Sequence, residues 1–178
     1  MPYAIELFLD GATDGLVRDI WRTYAATGIS DYLSQSDSRP HITLAVFERL
    51  KVEQCQDSLN QFVADHRFPE LEFSHLGVFY SEKNVVFVAP TVTPELLELH
   101  RKFQRRFEPL MEQEWESYQE GRWVPHCTLG VDIPRDKIAQ AVECSLALPL
   151  PFRCRIKEVA LIEFRPVRQI CACRLEQN

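Results

Sequence analysis

RPHITLAVF, residues 39–47, and VPHCTLGV, residues 124–131, carry the same phrase, Pro-His-x-Thr-Leu, at two places eighty-five positions apart. Side chains of a β-strand alternate between its faces, so His41 and Thr43 look one way, about 7 Å apart, while Ile42 and Leu44 look the other. The second copy sorts likewise, with His126 and Thr128 on one face and Cys127 and Leu129 on the other. A residue ahead of proline is biased toward extended backbone, which suits the entry of the first motif into a strand. Each copy thus presents an imidazole and a hydroxyl together and keeps an apolar face for burial beneath a helix.

Working outward, YAIELFLD (3–10) reads as an opening strand stopped at Asp10-Gly11. TDGLVRDIWRTYAATG (13–28) sets Leu16, Val17, Ile20, Trp21 and Tyr24 at helical spacing, with Thr13 or Asp14 as cap and Gly28 as stop. ISDYLSQSDSRP (29–40) is a polar loop, KVEQCQDSLNQFVAD (51–65) a helix, and ELEFSHLGVFY (70–80) with NVVFVAP (84–90) a hairpin across SEKN. From Thr93, a cap followed by Pro94, a long helix carries Leu96, Leu97, His100, Phe103, Phe107 and Leu110 on one stripe, with Pro109 kinking or ending it. After the second motif strand come a short helix (134–148) and two closing strands that turn near Arg165–Val167. Each half therefore reads strand, helix, motif strand, helix, hairpin, the second half borrowing its opening strand from the first hairpin.

With 178 residues, 46% hydrophobic and 26% charged, the composition is that of one folded unit covering residues 1–178. The opening MPYAIELFLDG has no basic start or cleavage site, and no apolar run approaches membrane-spanning length, so a cytoplasmic protein without a membrane partner is expected. Six scattered cysteines fit neither a disulfide scaffold nor paired metal knuckles and read as reduced, buried thiols. A net charge of −6 repels a long polyanion, which leaves a small or terminal phosphate as the easier partner. The cations of HRKFQRRF (100–107) read as a solvated helix face, not an RNA track.

Two imidazoles facing each other across a cleft suit paired proton transfer, since histidine titrates near neutrality. One takes a proton from an attacking oxygen, the other returns one to the leaving oxygen, and the threonine hydroxyls donate to the non-bridging oxygens of a phosphoryl group. That scheme needs no metal and no cofactor. A zinc set of His41, His126 and Cys127 fails because Cys127 should point away from His126 and no third ligand has metal spacing. No G-x-S-x-G elbow supports a serine hydrolase. His66, His75 and His100 have no partner context and read as loop, strand and helix-face residues.

The doubled motif, PHITLAV and PHCTLGV, resembles that of the two-histidine (2H) phosphoesterase superfamily, which includes 2′-5′ RNA ligases and 2′,3′-cyclic nucleotide phosphodiesterases. The resemblance implies an α+β, bilobal fold: two pseudo-symmetric antiparallel sheets around a central cleft, with helices on the outer faces. It implies metal-independent chemistry on a 2′,3′-cyclic phosphate or 2′-linked phosphodiester of a nucleotide or RNA end. His41 and His126 become the proton-transfer pair, with His126 as base toward water and His41 as acid toward the ribose oxygen, and Thr43 and Thr128 hold the phosphate. A module that binds RNA ends with little turnover, or a reversible 2′-5′ RNA ligase, is the alternative. Where many ligase-like relatives carry a basic residue soon after the first motif, this chain runs on Ala45-Val46-Phe47, which argues against long RNA. Tyr80 and Trp123 are candidates for stacking a base at the rim or for ordinary core packing, and Arg165 for a bidentate phosphate contact or a solvated turn. Lys83 shares that ambiguity. A monomer is expected.

Overall fold

The computed structural model describes residues 2–164 and 166–175. The chain opens with β1 (Tyr3–Leu9), buried along nearly its whole length, and continues into α1 (Gly11–Ala26). The cap of α1 is Asp10, not Thr13 or Asp14: its extended backbone lets the carboxylate accept the Thr13 N–H at 2.9 Å. The same carboxylate accepts the Arg155 N–H at 2.7 Å, so the helix start is tied to a distant segment that the local spacing could not reveal. Gly28 stands at φ +66° just beyond the helix, in the left-handed region that glycine adopts without strain.

The polar loop holds one helical turn, α2 (Tyr32–Gln35), before β2 (His41–Leu50), α3 (Val52–Asp65), β3 (Leu71–Phe79) and β4 (Asn84–Pro90). Thr93 caps α4 (Pro94–Phe107) by accepting the Leu96 N–H at 3.2 Å. The buried stripe of α4 runs through Leu96, Leu99, His100, Phe103 and Phe107, whereas Leu97 is exposed. Pro109 ends the helical path, the second of the two outcomes expected of it, and Met111–Glu114 beyond it forms β5 on the edge of β2. A 3₁₀ turn (Glu116–Tyr118) leads to β6 (Cys127–Ile133), α5 (Ile138–Ser145), a short β7 (Phe152–Cys154) that the sequence reading merged with the first closing strand, β8 (Ile156–Glu163) and β9 (Arg168–Arg174).

The strands form two antiparallel sheets, β5-β2-β1-β8-β9 and β6-β4-β3-β7. The second motif strand does pair with the borrowed β4, but the two halves are exchanged: the closing hairpin β8–β9 returns to β1, and the first hairpin β3–β4 serves the second sheet. Helices cross over as well. α1 and α5 cover the second sheet, joined by the Tyr24 hydroxyl donating to Ala141 O at 2.8 Å, while α3 and α4 cover the first. One continuous apolar core runs beneath both sheets, from Ile5 and Leu44 to Val86 and Leu129. The fold is thus α+β, with two antiparallel sheets whose motif strands, β2 and β6, meet at the junction between them.

Candidate active site

The registers explain the repeated phrase residue by residue. β1 and β2 pair Ile5 with Ala45 and Glu6 with Thr43, which leaves Leu44 without a partner. β4 and β6 pair Val86 with Gly130 and Phe87 with Thr128, which leaves Leu129 without one. Each motif leucine is therefore the extra residue of a β-bulge directly after the threonine, a device that re-aims neighbouring side chains. Both leucines are buried, as are Ile42 and Cys127, and the histidine and threonine of each copy are partly exposed on the other face.

The prolines have a visible consequence too. His41 Nδ1 lies 2.7 Å from Arg39 O, and His126 Nδ1 lies 2.7 Å from Val124 O, each carbonyl belonging to the residue bonded to the motif proline. A carbonyl only accepts, so Nδ1–H donates in both rings and Nε2 is left for chemistry.

His41, Thr43 and Thr128 line one cleft of about 490 Å³, together with Glu6, Arg39 and Tyr118. Trp115 and Phe164 also line it, their rings edge to face at 6.2 Å. His126 stands beside Thr128 against Phe79 and Phe87, with ring centroids 4.8 and 5.1 Å away. Burial pushes its imidazole below the usual value; the bond to Val124 O acts the other way, and the charge of His41 adds to the depression. That direction favours the neutral ring. Of the described residues lining the cleft, Arg39 carries the one permanent positive charge, its guanidinium 3.9 Å over the Phe8 ring and 2.8 Å from Glu158 Oε2.

Two tryptophans brace the motif strands. Trp21 on α1 donates its indole N–H to Thr128 O at 3.0 Å, and Trp123 donates to Thr43 O at 2.8 Å. The brace on β6 thus comes from the helix that follows β1, and the brace on β2 from the segment that leads into β6. Trp123 is therefore no rim aromatic: it is 8% exposed and stacks flat on His100 at 4.1 Å, which engages its face as well as its N–H. Tyr80 is exposed in the β3–β4 turn with Arg135 5.7 Å from its ring, outside the cleft lining, and Lys83 pairs with Asp132 at 3.7 Å. Arg165 lies outside the described residues. His66 bonds Phe62 O, His75 sits on β3, and buried His100 bonds Leu44 O at 3.2 Å. Cys127 points away from the cleft as alternation required, and burial pushes its thiol up to about 12.

Glu6, Arg39, Tyr118 and Trp21 are site residues that the motif reading passed over. The carboxylate inside the apolar run YAIELFL was the one visible signal among them, because a lone charge on a buried strand needs a partner. Among the described residues, no group of three or more His, Cys, Asp or Glu side chains is arranged to hold a metal ion. A larger hollow of about 1060 Å³ beyond the end of α3 contains no motif residue.

The family model for the 2′-5′ RNA ligase superfamily matches residues 18–168. Among solved structures, Escherichia coli LigT complexed with 3′-AMP is 16% identical with a TM-score of 0.58, covering 99% of this chain and 100% of that one. Kluyveromyces marxianus Usb1 with uridine monophosphate is 14% identical with a TM-score of 0.53, covering 95% and 97%. These likenesses show the fold. No curated protein matches the chain.

Proposed function

The chain belongs to the 2′-5′ RNA ligase superfamily, and from that premise we propose that its cleft hydrolyses a 2′,3′-cyclic phosphate, or a comparable 2′-linked phosphodiester, at a nucleotide or RNA end. One observation carries this reading: two histidines, each anchored through Nδ1 to the carbonyl two residues back, each with a threonine two residues on, on strands that meet. Such a pair has the symmetry of an in-line displacement at phosphorus, with one proton taken and one given. The nucleotides in the LigT and Usb1 structures, 3′-AMP and uridine monophosphate, support a nucleoside phosphate as the ligand class.

In the proposed reaction His126, neutral through its burial, accepts a proton from water as the water oxygen attacks phosphorus. The bond from phosphorus to the ribose oxygen breaks, and His41 supplies that oxygen with its proton. Thr43 and Thr128 donate to the non-bridging oxygens, and Arg39 supplies nearby positive charge for the diester. Run backward with a ribose hydroxyl in place of water, the same groups would join a 2′-5′ bond. A negatively charged protein whose cleft has one arginine among its described lining residues favours a short substrate over long RNA.

The test incubates the protein with each nucleoside 2′,3′-cyclic monophosphate, and with a cyclic-phosphate-ended oligonucleotide, in the presence and absence of EDTA. Turnover that survives chelation and is lost in both His41→Ala and His126→Ala is the expected result. Tight binding of the oligonucleotide end with no product would instead identify a binding module.

A further inference from the structure

The registers that make the two motifs equivalent also show where they differ. The residue paired with the motif threonine is Glu6 on β1 in one sheet and Phe87 on β4 in the other. Both side chains meet the motif histidine: Glu6 Oε1 is 3.4 Å from His41 Nε2, and the Phe87 ring centroid is 5.1 Å from that of His126. A carboxyl group stands beside one imidazole where its counterpart is a phenyl ring.

With Nδ1–H committed to Arg39 O, a neutral His41 offers only a lone pair at Nε2, and an ionised Glu6 offers only lone pairs as well. Two acceptors at 3.4 Å, in a place where the Glu6 side chain is only 12% exposed, repel each other. One proton between them removes the conflict, whether as imidazolium with carboxylate or as imidazole with carboxylic acid. Among the described residues no carboxyl group stands so beside His126, which meets the rings of Phe79 and Phe87.

We propose that Glu6 is the positioning residue that keeps a proton on the His41 side of the cleft, and so makes His41 the acid and His126 the base. This inference rests on the phosphodiesterase reading above. The protons balance: His126 gains one from water, the pair formed by Glu6 and His41 gives one to the ribose oxygen, and exchange with solvent resets both. Glu6 is never required to touch phosphorus.

The groups facing Glu6 are consistent with a proton held there. Burial pushes its carboxyl above the usual range, and the charges of His41 and Arg39 pull it back. Arg39 is itself held by Glu158 on β8. Tyr118, from the 3₁₀ turn, and Cys127, on the buried side of β6 but near enough to feel the Glu6 charge, are both pushed up by burial, so neither titrates near neutrality. Thr43, opposite Glu6 on β2, does not titrate in this range.

Glu6→Gln preserves shape but removes the acid, and its amide N–H can donate to an unprotonated Nε2. Nuclear magnetic resonance of ¹⁵N-histidine and ¹³C-carboxyl labels in the ligand-free protein near pH 7 should find one proton on the Glu6 and His41 pair and His126 neutral. In Glu6→Gln the His41 ring should become the neutral Nδ1–H tautomer while His126 is unchanged. In kinetics with a 2′,3′-cyclic nucleotide, the fall in kcat/KM on raising pH should begin earlier in the variant, giving a loss of about tenfold near pH 8 against little change near pH 5.5.

A wild-type pair without a proton near pH 7, or a pH profile of unchanged shape in Glu6→Gln, would overturn the inference. The wild-type spectrum decides the matter even if the variant folds poorly. Absence of turnover by the wild-type protein would sink the functional reading instead, and the spectrum would still show where the proton lies.

Discussion

Replacing Gly77 by alanine tests whether packing behind the cleft sets the position of His126. Gly77 on β3 pairs with Phe87, whose ring lies over it, and a Cβ built at residue 77 falls 2.2 Å from Phe87 Cζ and 2.4 Å from Cε2. Ordinary van der Waals contact begins at 3.4 Å, so the ring must move by roughly the difference. It has little room: Phe87 is 6% exposed, its centroid 4.3 Å from that of Phe79 and 5.1 Å from that of His126. Overpacking of this kind costs about 1–3 kcal/mol, and each kcal/mol lowers Tm by about 2–4 °C in a protein of this size. On the proposed mechanism, displacing the His126 ring by about 1 Å costs about a hundredfold in rate. Gly77→Ala should therefore lower Tm, shift the His126 ring resonances and depress kcat/KM together. Adding Phe87→Leu, which shortens the obstructing side chain, should recover part of the stability in a double-mutant cycle. A Gly77→Ala protein as stable as wild type, with His126 resonances unmoved, would refute the reasoning.

Trp21→Phe and Trp123→Phe each strip the indole donor from a motif threonine carbonyl, and urea unfolding should register about 1–3 kcal/mol for each. His41→Ala and His126→Ala should each reduce kcat/KM by about 10²–10⁴-fold, measured by chromatography of cyclic nucleotide products, with EDTA having no effect. Burial holds His100 below its ordinary 6.5, so the unfolded chain binds its proton first as pH falls, and the associated stability, complete above about 6.5, is lost through the folded-state value. Urea titrations should accordingly show a shallower decline below pH 6.5 in His100→Gln than in wild type. Burial pushes the thiols of Cys55, Cys127 and Cys154 up to about 12, 12 and 11, so thiol reagents should reach these three only on unfolding, as mass spectrometry of labelled peptides would show.

The parts of the site legible in the sequence are those written in neighbouring residues. Alternation separated His41 and Thr43 from Ile42, and His126 and Thr128 from Cys127, and the structure keeps those faces apart. Thr93 with Pro94 announced the start of α4, and Pro109 announced its end, although the β5 beyond it was invisible because its stability comes from pairing with β2. Asp10 escaped notice as a cap partly because its second partner, Arg155, lies in a remote segment. Trp123 read equally well as a stacking platform or a core ring until His100 was found against its face.

By itself, then, the sequence determined the main strands and helices, though not α2, β5 or β7, and which motif side chains share a face, since propensity, capping and alternation are properties of adjacent residues. Tertiary structure alone decided that the hairpins are exchanged between sheets, that Trp21 and Trp123 brace the motif strands, and that Glu6 stands opposite Thr43 where Phe87 stands opposite Thr128. The reason is physical: strand register is held by backbone hydrogen bonds between segments far apart in the chain, and those bonds are the same whatever side chains they bring together.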